Sequence, residues 1–465
     1  MSAPWLLLDP PSAGGYARRG SLREKQDAPK APFPSIDLIL VSGAVRNMGA
    51  TPVFLDAQVQ RWNWERCLRE VHALRPAGIV SVISSALIEE ELTCLRAVKD
   101  ALPWMALYVV GSVHLILDAG SVRDILEQHP WINGVILNTA ENNLAELLTS
   151  PDAAPRNVAV RRGEEVTVPA LEVTYGENLR IPRPVHAIFK NSRYFFPQSK
   201  RTPVTCTQMS FGCPYTCEFC LDNALYRKMC YRDTDDCIEE LVEIARLGFR
   251  EVYFKDLTFG LNKRATTEFL DKLASRRLGL SWLCTTRVDV ATERLLSLMK
   301  RAGCRGIEFG VESGSRHRRA ANGKPVEDEE IRDVFQRCRR RGIETTAFVM
   351  IGFEDETEEE IATTVRFIES LRPDYVSYNV VNALPGTALA ERAKREGFLR
   401  DEAGDHRFVG SNLRHRYLSP GRLEALRGEA MRSFYGRPGT ALRRLLRTRS
   451  LFELRKLVKL SRVAL

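Results

Sequence analysis

Apolar residues in the first 150 positions alternate between short continuous runs and longer stretches with helical spacing. The short runs predict strands and the longer stretches predict amphipathic helices. The predicted strands are Trp5 to Asp9, Val53 to Asp56, Ala77 to Ile83, Ala106 to Val110 and Gly134 to Leu137. The predicted helices are Ile36 to Asn47, Trp64 to Leu74, Ile88 to Ala101, Ser121 to His129 and Asn142 to Leu148. This order predicts a doubly wound, Rossmann-like α/β domain, whose ligands bind beyond the carboxyl ends of the strands.

Residues 151–199 are richer in Pro and Arg, which indicates a connector, and a second βα series occupies residues 200–396. Its predicted strands are Pro203 to Met209, Glu251 to Leu257, Ser281 to Thr286, Gly306 to Glu312, Thr345 to Ile351 and Tyr375 to Val381. Its predicted helices are Asp235 to Leu247, Lys263 to Arg276, Thr292 to Ala302, Glu327 to Arg341 and Glu358 to Leu371. Six βα steps predict a partial (β/α)6 barrel of the TIM type, with its chemistry at the carboxyl ends of the strands.

The formal net charge of +9 is concentrated in a small helical C-terminal region, residues 397–465. From Arg422 to Leu465 there are 12 Arg or Lys residues against 3 Glu, spaced among leucines. Three interpretations stay open: a solvated helical face packed on the barrel, peripheral contact with an anionic membrane surface, or binding of an acidic or carrier-linked substrate. Nucleic acid is not expected as a partner, because these basic residues lack the interleaved aromatics of a stacking surface.

The apolar stretches are all short. None approaches the roughly 20 residues that a membrane-spanning helix requires. The N-terminus has no basic leader and reaches Asp9 before an apolar signal segment is complete. We therefore expect a cytoplasmic protein, in which the 11 cysteines are thiols or metal ligands rather than disulfides.

Three cysteines follow the first strand of the second series at the spacing C-x-x-x-C-x-x-C: Cys213, Cys217 and Cys220. Three thiolates on one short loop can bind three irons of a 4Fe-4S cubane and leave the fourth iron open to a substrate. A zinc site with Cys206 or Cys230 as a fourth ligand is the alternative. The other six cysteines are scattered singly among apolar or helical stretches, where a free Cys usually acts as a small core residue.

With Phe219 just before the last cysteine, this loop resembles that of the radical S-adenosylmethionine (SAM) superfamily, and the resemblance extends over roughly Thr202 to Gly397. It implies that the open iron chelates the amino and carboxylate groups of SAM. An electron from an external donor such as flavodoxin or ferredoxin then produces a 5′-deoxyadenosyl radical, which removes a hydrogen atom from the substrate.

The family's SAM contacts lie at successive strand ends. There the resemblance implies that Asp256 accepts from the ammonium group, that Arg287 pairs with the carboxylate, and that Glu312 or Ser313 binds the ribose or the amino group. At Lys255 the family more often has a small or acidic residue.

The first domain, residues 1–150, resembles the cobalamin-binding domain that precedes the radical module in one subgroup of this superfamily. The resemblance implies that two serines reach the nucleotide tail of cobalamin and that a glycine lets the backbone lie close to it, with further contacts after the fifth strand. These residues are Ser81, Ser85, Gly111, Thr139 and Glu141. No His precedes residue 72, so cobalamin would bind without a protein His on cobalt. A degenerate domain that binds nothing is the alternative.

Together the resemblances imply a class B radical SAM methyltransferase, which methylates an unactivated carbon or phosphorus of a small-molecule biosynthetic intermediate. A cobalamin-dependent cyclase, ring-rearrangement or oxidative enzyme without methyl transfer is the nearest alternative. A methylthiotransferase should carry a second cysteine cluster in its first domain, where this chain has only Cys67 and Cys94. A non-catalytic cofactor sensor is a further alternative, which reductive cleavage of SAM by the protein would exclude.

Overall fold

The structure is a computed structural model that describes residues 3–11, 16–19, 22–25, 33–84, 88–111, 119–150, 152–222, 228–400, 410–437, 439, 448, 450 and 452–453. Its strands are β1 Trp5–Asp9, β2 Tyr16–Arg19, β3 Leu22–Lys25, β4 Pro52–Asp56, β5 Gly78–Val82, β6 Ala106–Val110, β7 Gly134–Ile136, β8 Val158–Arg162, β9 Glu165–Thr167, β10 Gly176–Leu179, β11 Val204–Thr207, β12 Ser210–Phe211, β13 Cys230–Arg232, β14 Glu251–Phe254, β15 Ser281–Thr286, β16 Cys304–Glu312, β17 Glu344–Ile351 and β18 Tyr375–Val380. Its α-helices are α1 Ile36–Asn47, α2 Ala57–Gln60, α3 Trp64–Leu74, α4 Ile88–Ala101, α5 Ala119–Gln128, α6 Leu144–Thr149, α7 Thr234–Arg246, α8 Lys263–Arg276, α9 Glu293–Arg301, α10 Arg316–Ala321, α11 Asp328–Arg340, α12 Glu358–Leu371, α13 Ala388–Arg395 and α14 Pro420–Tyr435.

The first domain is a seven-stranded sheet in the order β4-β1-β5-β6-β7-β8-β9. Its first five strands in that order are parallel, as the sequence predicts. Successive residues of β1 enter different cores: Leu7 packs with α1 on one face, whereas Leu6 and Leu8 pack with α3 and α4 on the other. This period of two explains why the strand is apolar throughout, since both of its faces are covered.

The first domain extends beyond its predicted end at residue 150. β8 pairs antiparallel with β7, and β9 pairs with β8, so the sheet continues to Thr167 inside the predicted connector. These two strands are short, and the sheet edge exposes Arg162 and Glu165. Short polar edge strands lack the apolar runs by which strands are recognised in a sequence, and this is why the sequence analysis missed them. The β2–β3 hairpin is also an addition to the predicted elements.

The second domain is a six-stranded parallel sheet in chain order, β11-β14-β15-β16-β17-β18. Helices α7 to α9, α11 and α12 cover one face, where Phe254, Phe269 and Trp282 lie in a single large core. The opposite face, called the inner face below, carries polar side chains on alternate positions of β14, β15, β16 and β17: Tyr253, Thr285, Glu308 and Thr346. The predicted barrel strands are thus present in the predicted order.

The connector is an ordered part of both domains. Phe196 packs against Tyr253 of the inner face, and Gln198 donates to Glu308 (2.6 Å). The neighbouring Tyr194 donates from its hydroxyl to Asp56 Oδ2, at the carboxyl end of β4 (2.5 Å). One short segment therefore contacts the inner face of the second sheet and the carboxyl edge of the first.

Tyr194→Phe tests this link. The change removes a buried hydrogen bond to a carboxylate, and such bonds contribute about 1.5–3 kcal/mol. We expect the free energy of unfolding of the first domain, from denaturant titration, to fall by that amount. Tyr175→Phe is the matched control, because Tyr175 lies in the same connector with 55% of its surface exposed. Equal stability of the two variants would contradict the proposed link.

At the other end of the chain, α14 packs against β18, and the Tyr435 hydroxyl donates to Val376 O (2.8 Å). Most of the basic region that follows lies outside the described residues. Among the helices described, none has the length and apolar character needed to cross a bilayer.

Candidate functional site

The cysteine loop begins directly after β11, at the carboxyl end of the first strand of the second sheet. β12 leads into Gly212, whose φ of 86° turns the backbone toward Cys213. Glycine adopts this left-handed conformation at no steric cost. Cys213, Cys217 and Cys220 are partly exposed and are not joined in disulfides, and the backbone closes the loop through Cys220 N–H to Cys217 O (3.1 Å). The motif therefore lies where the sequence predicts it.

Asp256, at the end of β14, supports the start of this loop. Its carboxylate accepts from Met209 N (3.1 Å), Ser210 N (2.7 Å) and the Ser210 hydroxyl (2.5 Å). Burial raises the pKa of Asp256 to about 6, although these hydrogen bonds favour the charged form. The predicted contact with a SAM ammonium group would require one of these bonds to be exchanged. In the structure Asp256 instead fixes the backbone that leads into the cysteines.

Arg287, at the end of β15, also contacts the loop. Its Nε and Nη2 donate to Asp289 (2.9 and 2.8 Å), its Nη1 donates to Cys217 Sγ (3.6 Å), and its Cζ lies 3.6 Å from the centroid of the Tyr215 ring. These contacts occupy Nε and Nη2, and the pairing of Arg287 with a SAM carboxylate stays a prediction. The sequence does contain a sign of these contacts, because Asp289 lies only two residues after Arg287. The sequence analysis did not recognise that this carboxylate competes with SAM for the guanidinium.

Glu312 closes β16 at the mouth of the sheet. Its φ of 65° is unusual for a residue with a side chain, and the register with β17 shifts between Gly310 and Glu312. Such backbone strain is found at functional sites. The carboxylate forms an ion pair with Lys324, which the sequence analysis did not single out. Glu312 thus lies at the predicted strand end, where its carboxylate is already paired with Lys324.

Ser313, the next residue, is only 1% exposed. Its hydroxyl accepts from Ser315 N (3.1 Å) and lies 3.4 Å from the Thr364 hydroxyl. The side chain is directed into the turn before α10, and its contact with SAM stays a prediction.

Phe219 packs against an apolar cluster that contains Phe353, Val381 and Leu389. The preceding residue, Glu218, accepts from Arg392 of α13 (2.7 Å), and its carbonyl accepts from Leu389 N (2.9 Å). The last cysteine of the loop therefore follows a segment that is held by contacts with α13, near the C-terminal end of the second domain. Nothing in the local sequence indicates this contact, because Arg392 lies 174 positions away.

Cys206 and Cys230, the candidate fourth ligands of a zinc site, are both fully buried. Cys206 Sγ lies 3.9 Å from Pro34 O, against the first domain. In the part of the chain that the structure describes, no three His, Cys, Asp or Glu side chains are placed as a group that could hold a metal ion, and this includes Cys213, Cys217 and Cys220. The prediction of a cubane with one iron left for a substrate therefore rests on the chemistry of three thiols on one short loop.

The carboxyl edge of the first sheet carries the residues that resemble a cobalamin site. Ser81 is fully buried, and its hydroxyl is directed to Val82 O, because it lies within β5 rather than beyond it. Ser85 lies outside the described residues. Gly111 directly follows β6, and Thr139 is partly exposed after β7. Gly111 and Thr139 thus lie at this edge and the Ser81 side chain is buried within the sheet, while the contacts of all three with cobalamin stay predictions.

Glu141 faces the second domain. Its carboxylate accepts from Thr174 N (3.2 Å) and from the Thr174 hydroxyl. Thr174 precedes β10, which pairs with β13, and β13 pairs with β12 at the start of the cysteine loop. Burial, and secondarily the nearby Glu141, raise the pKa of the Cys230 thiol in β13 to about 12. The carboxyl edge of the first sheet thus lies close to the strand pair that carries the cysteine loop.

Two further charged residues lie on the inner face: Glu308, which the sequence analysis did not single out, and Lys255, which it noted as a departure from the family pattern. Glu308 accepts from Gln198 and from Tyr253, and burial, followed by Glu308, raises the pKa of Tyr253 well above its usual value. Lys255 lies 4.1 Å from the Tyr253 ring and 4.7 Å from that of Phe33. The lysine that departs from the family pattern is therefore directed at aromatic rings of the inner face.

A family model described as the radical SAM superfamily matches residues 207–368. The match starts at the end of β11 and includes all three cysteines of the loop. The predicted resemblance of the second domain to this superfamily is confirmed.

Two curated relatives match two thirds or more of this chain. An uncharacterized methyltransferase, PH0819 of Pyrococcus horikoshii, is 27% identical over 331 residues, which cover 67% of this chain and 69% of that protein. An anaerobic magnesium-protoporphyrin IX monomethyl ester cyclase of Rubrivivax gelatinosus is 26% identical over 375 residues, which cover 77% of this chain and 66% of that protein. The chain thus spans about two thirds of the length of these relatives.

Among solved structures, the fold is similar to that of TsrM, a radical SAM methyltransferase from Kitasatospora setae, with cobalamin and a 4Fe-4S cluster bound. The TM-score is 0.63 at 17% identity, and the match covers 87% of this chain and 80% of that one. The α/β fold with two parallel sheets is therefore shared with an enzyme of two such domains.

Proposed function

Residues 207–368 of this chain are a radical SAM domain, and from this premise we propose that the protein is a cobalamin-dependent methyltransferase. Its acceptor would be an unactivated carbon or phosphorus of a small-molecule biosynthetic intermediate. The main support for this proposal is that the carboxyl edges of the first and second sheets lie close together. Glu141, after β7, reaches Thr174 beside the strand pair that opens the cysteine loop. Ligands bound at the two edges would share one space between the domains.

Cys213, Cys217 and Cys220 would hold the cluster, and Gly111 and Thr139 would contact cobalamin. When bound, the cluster and SAM supply a radical that removes a hydrogen atom, and cobalamin supplies a methyl group. The protein itself orients these groups. Asp256 fixes the entry to the loop through two backbone N–H groups, and Arg392 fixes its exit through Glu218. Glu312, at the mouth of the sheet, would contact the polar groups of SAM.

The proposal includes two partners. One is a small-molecule substrate, which would lie between the two edges. The other is an external electron donor such as flavodoxin or ferredoxin, since the cysteine triplet provides for only one cluster. The basic C-terminal region could contact an anionic membrane surface, and liposome flotation with and without residues 438–465 tests this.

The test uses the full chain, reconstituted anaerobically with iron, sulfide and hydroxocobalamin. We expect near-stoichiometric retention of cobalamin. We also expect S-adenosylhomocysteine and 5′-deoxyadenosine together when the true substrate is supplied, since methyl transfer consumes SAM in two ways. Failure to retain cobalamin while the cluster is intact would contradict the cobalamin part of the proposal.

A second candidate function is cyclisation or another oxidative rearrangement without methyl transfer. The Rubrivivax gelatinosus cyclase favours it, because the match extends over 77% of this chain. The same assay separates the two: with the true substrate, 5′-deoxyadenosine without S-adenosylhomocysteine would reject methyl transfer in favour of this candidate.

A further inference from the structure

The guanidinium of Arg287 is engaged on three sides at the cysteine loop. Asp289 accepts from two of its nitrogens, Tyr215 stacks on its face, and Nη1 donates to Cys217 Sγ (3.6 Å). The side chain is 7% exposed. With Nε and Nη2 bound by Asp289, the planar fork is held so that Nη1 donates toward Cys217 Sγ.

Two other cations hold the same loop. Lys324 lies 5.8 Å from the Phe219 ring and pairs with Glu312, and Arg392 binds Glu218 while pairing with Glu354. Each cation thus contacts a residue between the cysteines and is neutralised by a carboxylate of its own. Arg287 differs from these two in that it donates directly to a cysteine sulfur.

We propose that Arg287 is a positioning residue that donates to the Cys217 thiolate and raises the reduction potential of the cluster on this loop. The inference rests on the proposed function in one respect, that the loop holds a 4Fe-4S cluster. Reduction adds one negative charge to the cluster and its thiolates. A fixed cationic donor stabilises the reduced form more than the oxidised form, and hydrogen bonds to sulfur are among the factors that set cluster potentials.

Asp289 makes it possible to test the direction in which the reduction potential of the cluster shifts. It fixes the orientation of Arg287, but its own negative charge opposes reduction. Arg287→Met should lower the ratio of reduced to oxidised cluster about tenfold at a fixed applied potential, which is a midpoint shift of about 59 mV for one electron. Asp289→Asn should move the midpoint upward, because it removes a negative charge and keeps the guanidinium. A purely structural role would not shift the two variants in opposite directions.

The measurement is a redox titration of the reconstituted full chain, followed by electron paramagnetic resonance, with iron and sulfide content determined first. Arg301→Met is the matched control. It removes one cation from an exposed ion pair with Asp271 on the outside of the domain and should leave the midpoint unchanged.

A wild-type chain that binds no cluster would overturn the proposed function, whatever Arg287 does. Potentials of Arg287→Met and Asp289→Asn that stay at the wild-type value, or shift in the same direction, would overturn the role of Arg287 while leaving the function intact. If Arg287→Met does not fold, Arg287→Lys replaces it. A lysine lacks the planar fork, so a lower potential is expected, and an unchanged one counts against the proposal.

Discussion

Replacement of Cys217 by alanine is expected to reduce the reductive cleavage of SAM to the level of a protein-free control. Each thiolate of a site-differentiated cubane holds its own iron, so the loss of one ligand leaves two irons open and the cluster labile. Cys217 is also the ligand that accepts from Arg287 (3.6 Å), and its removal takes away the anchor on that side of the loop. Iron content should fall from about four atoms per chain to below about one. Anaerobic assay of 5′-deoxyadenosine with dithionite, alongside iron analysis, measures both effects.

Cys206→Ala and Cys230→Ala are the matched controls. Both thiols are fully buried near the loop, and each is a candidate fourth ligand of a zinc site. We expect these variants to keep the iron content and the cleavage rate of the wild type. Loss of iron in either one would contradict the assignment of a three-cysteine cluster.

Glu240→Gln is expected to destabilise the second domain by about 3–5 kcal/mol, the usual cost of breaking a buried ion pair. Glu240 accepts from the Thr207 hydroxyl (2.6 Å), contacts His186 Nε2 (3.0 Å) and pairs with Arg232 (2.7 Å). The side chains of Glu240, Arg232 and His186 are almost fully buried. Removing the carboxylate charge leaves Asp236 as the remaining carboxylate partner of Arg232 in this network. Hydrogen exchange of peptides from α7 at increasing urea concentrations measures this loss of stability.

The matched control is Glu239→Gln, the same change at the preceding position of α7. Glu239 is exposed and pairs with Arg183 at the surface, so its replacement should change stability by less than about 1 kcal/mol. Equal losses in the two variants would show that the buried network does not stabilise the domain.

The pH dependence of the Glu240→Gln effect follows from the pKa of Glu240. Burial alone would raise this pKa, but Arg232 and the bonds from His186 and Thr207 lower it below the ordinary value. A lowered pKa in the folded state contributes stability that is fully present above the unfolded pKa of about 4.3 and is lost as the pH falls through the folded value. The difference in the free energy of unfolding between wild type and Glu240→Gln should therefore be constant from about pH 8 to 5 and become smaller only in stronger acid.

The alternation of apolar runs placed most elements of the two central sheets within one or two residues. Predicted helices 36–47, 64–74, 88–101, 263–276 and 358–371 have the bounds of α1, α3, α4, α8 and α12. Strands buried on both faces and helices with one apolar face carry strong periodic signals, and for this reason the sequence is sufficient there. β8 and β9 were missed, because a polar edge strand carries almost no such signal.

For the site, the sequence was sufficient to single out the three cysteines, because the eight residues from Cys213 to Cys220 contain every ligand of the predicted cluster. The hydrogen-bond partners of Asp256, Arg287 and Ser313 were decided only by the tertiary structure. Each is a polar residue at a strand end, as predicted, but nearby groups compete for it: the backbone at Met209, the carboxylate of Asp289 and the turn at Ser315.

Contacts between residues far apart in the chain lay beyond any local pattern. Arg392 reaches Glu218, Tyr194 reaches Asp56, and His186 reaches Glu240, across 174, 138 and 54 positions. A local pattern can report which chemistry a short loop provides and which face of an element is buried. Which polar groups meet at a strand end depends on how distant segments pack, and that is why the cysteines could be identified from the sequence and their electrostatic surroundings required the fold.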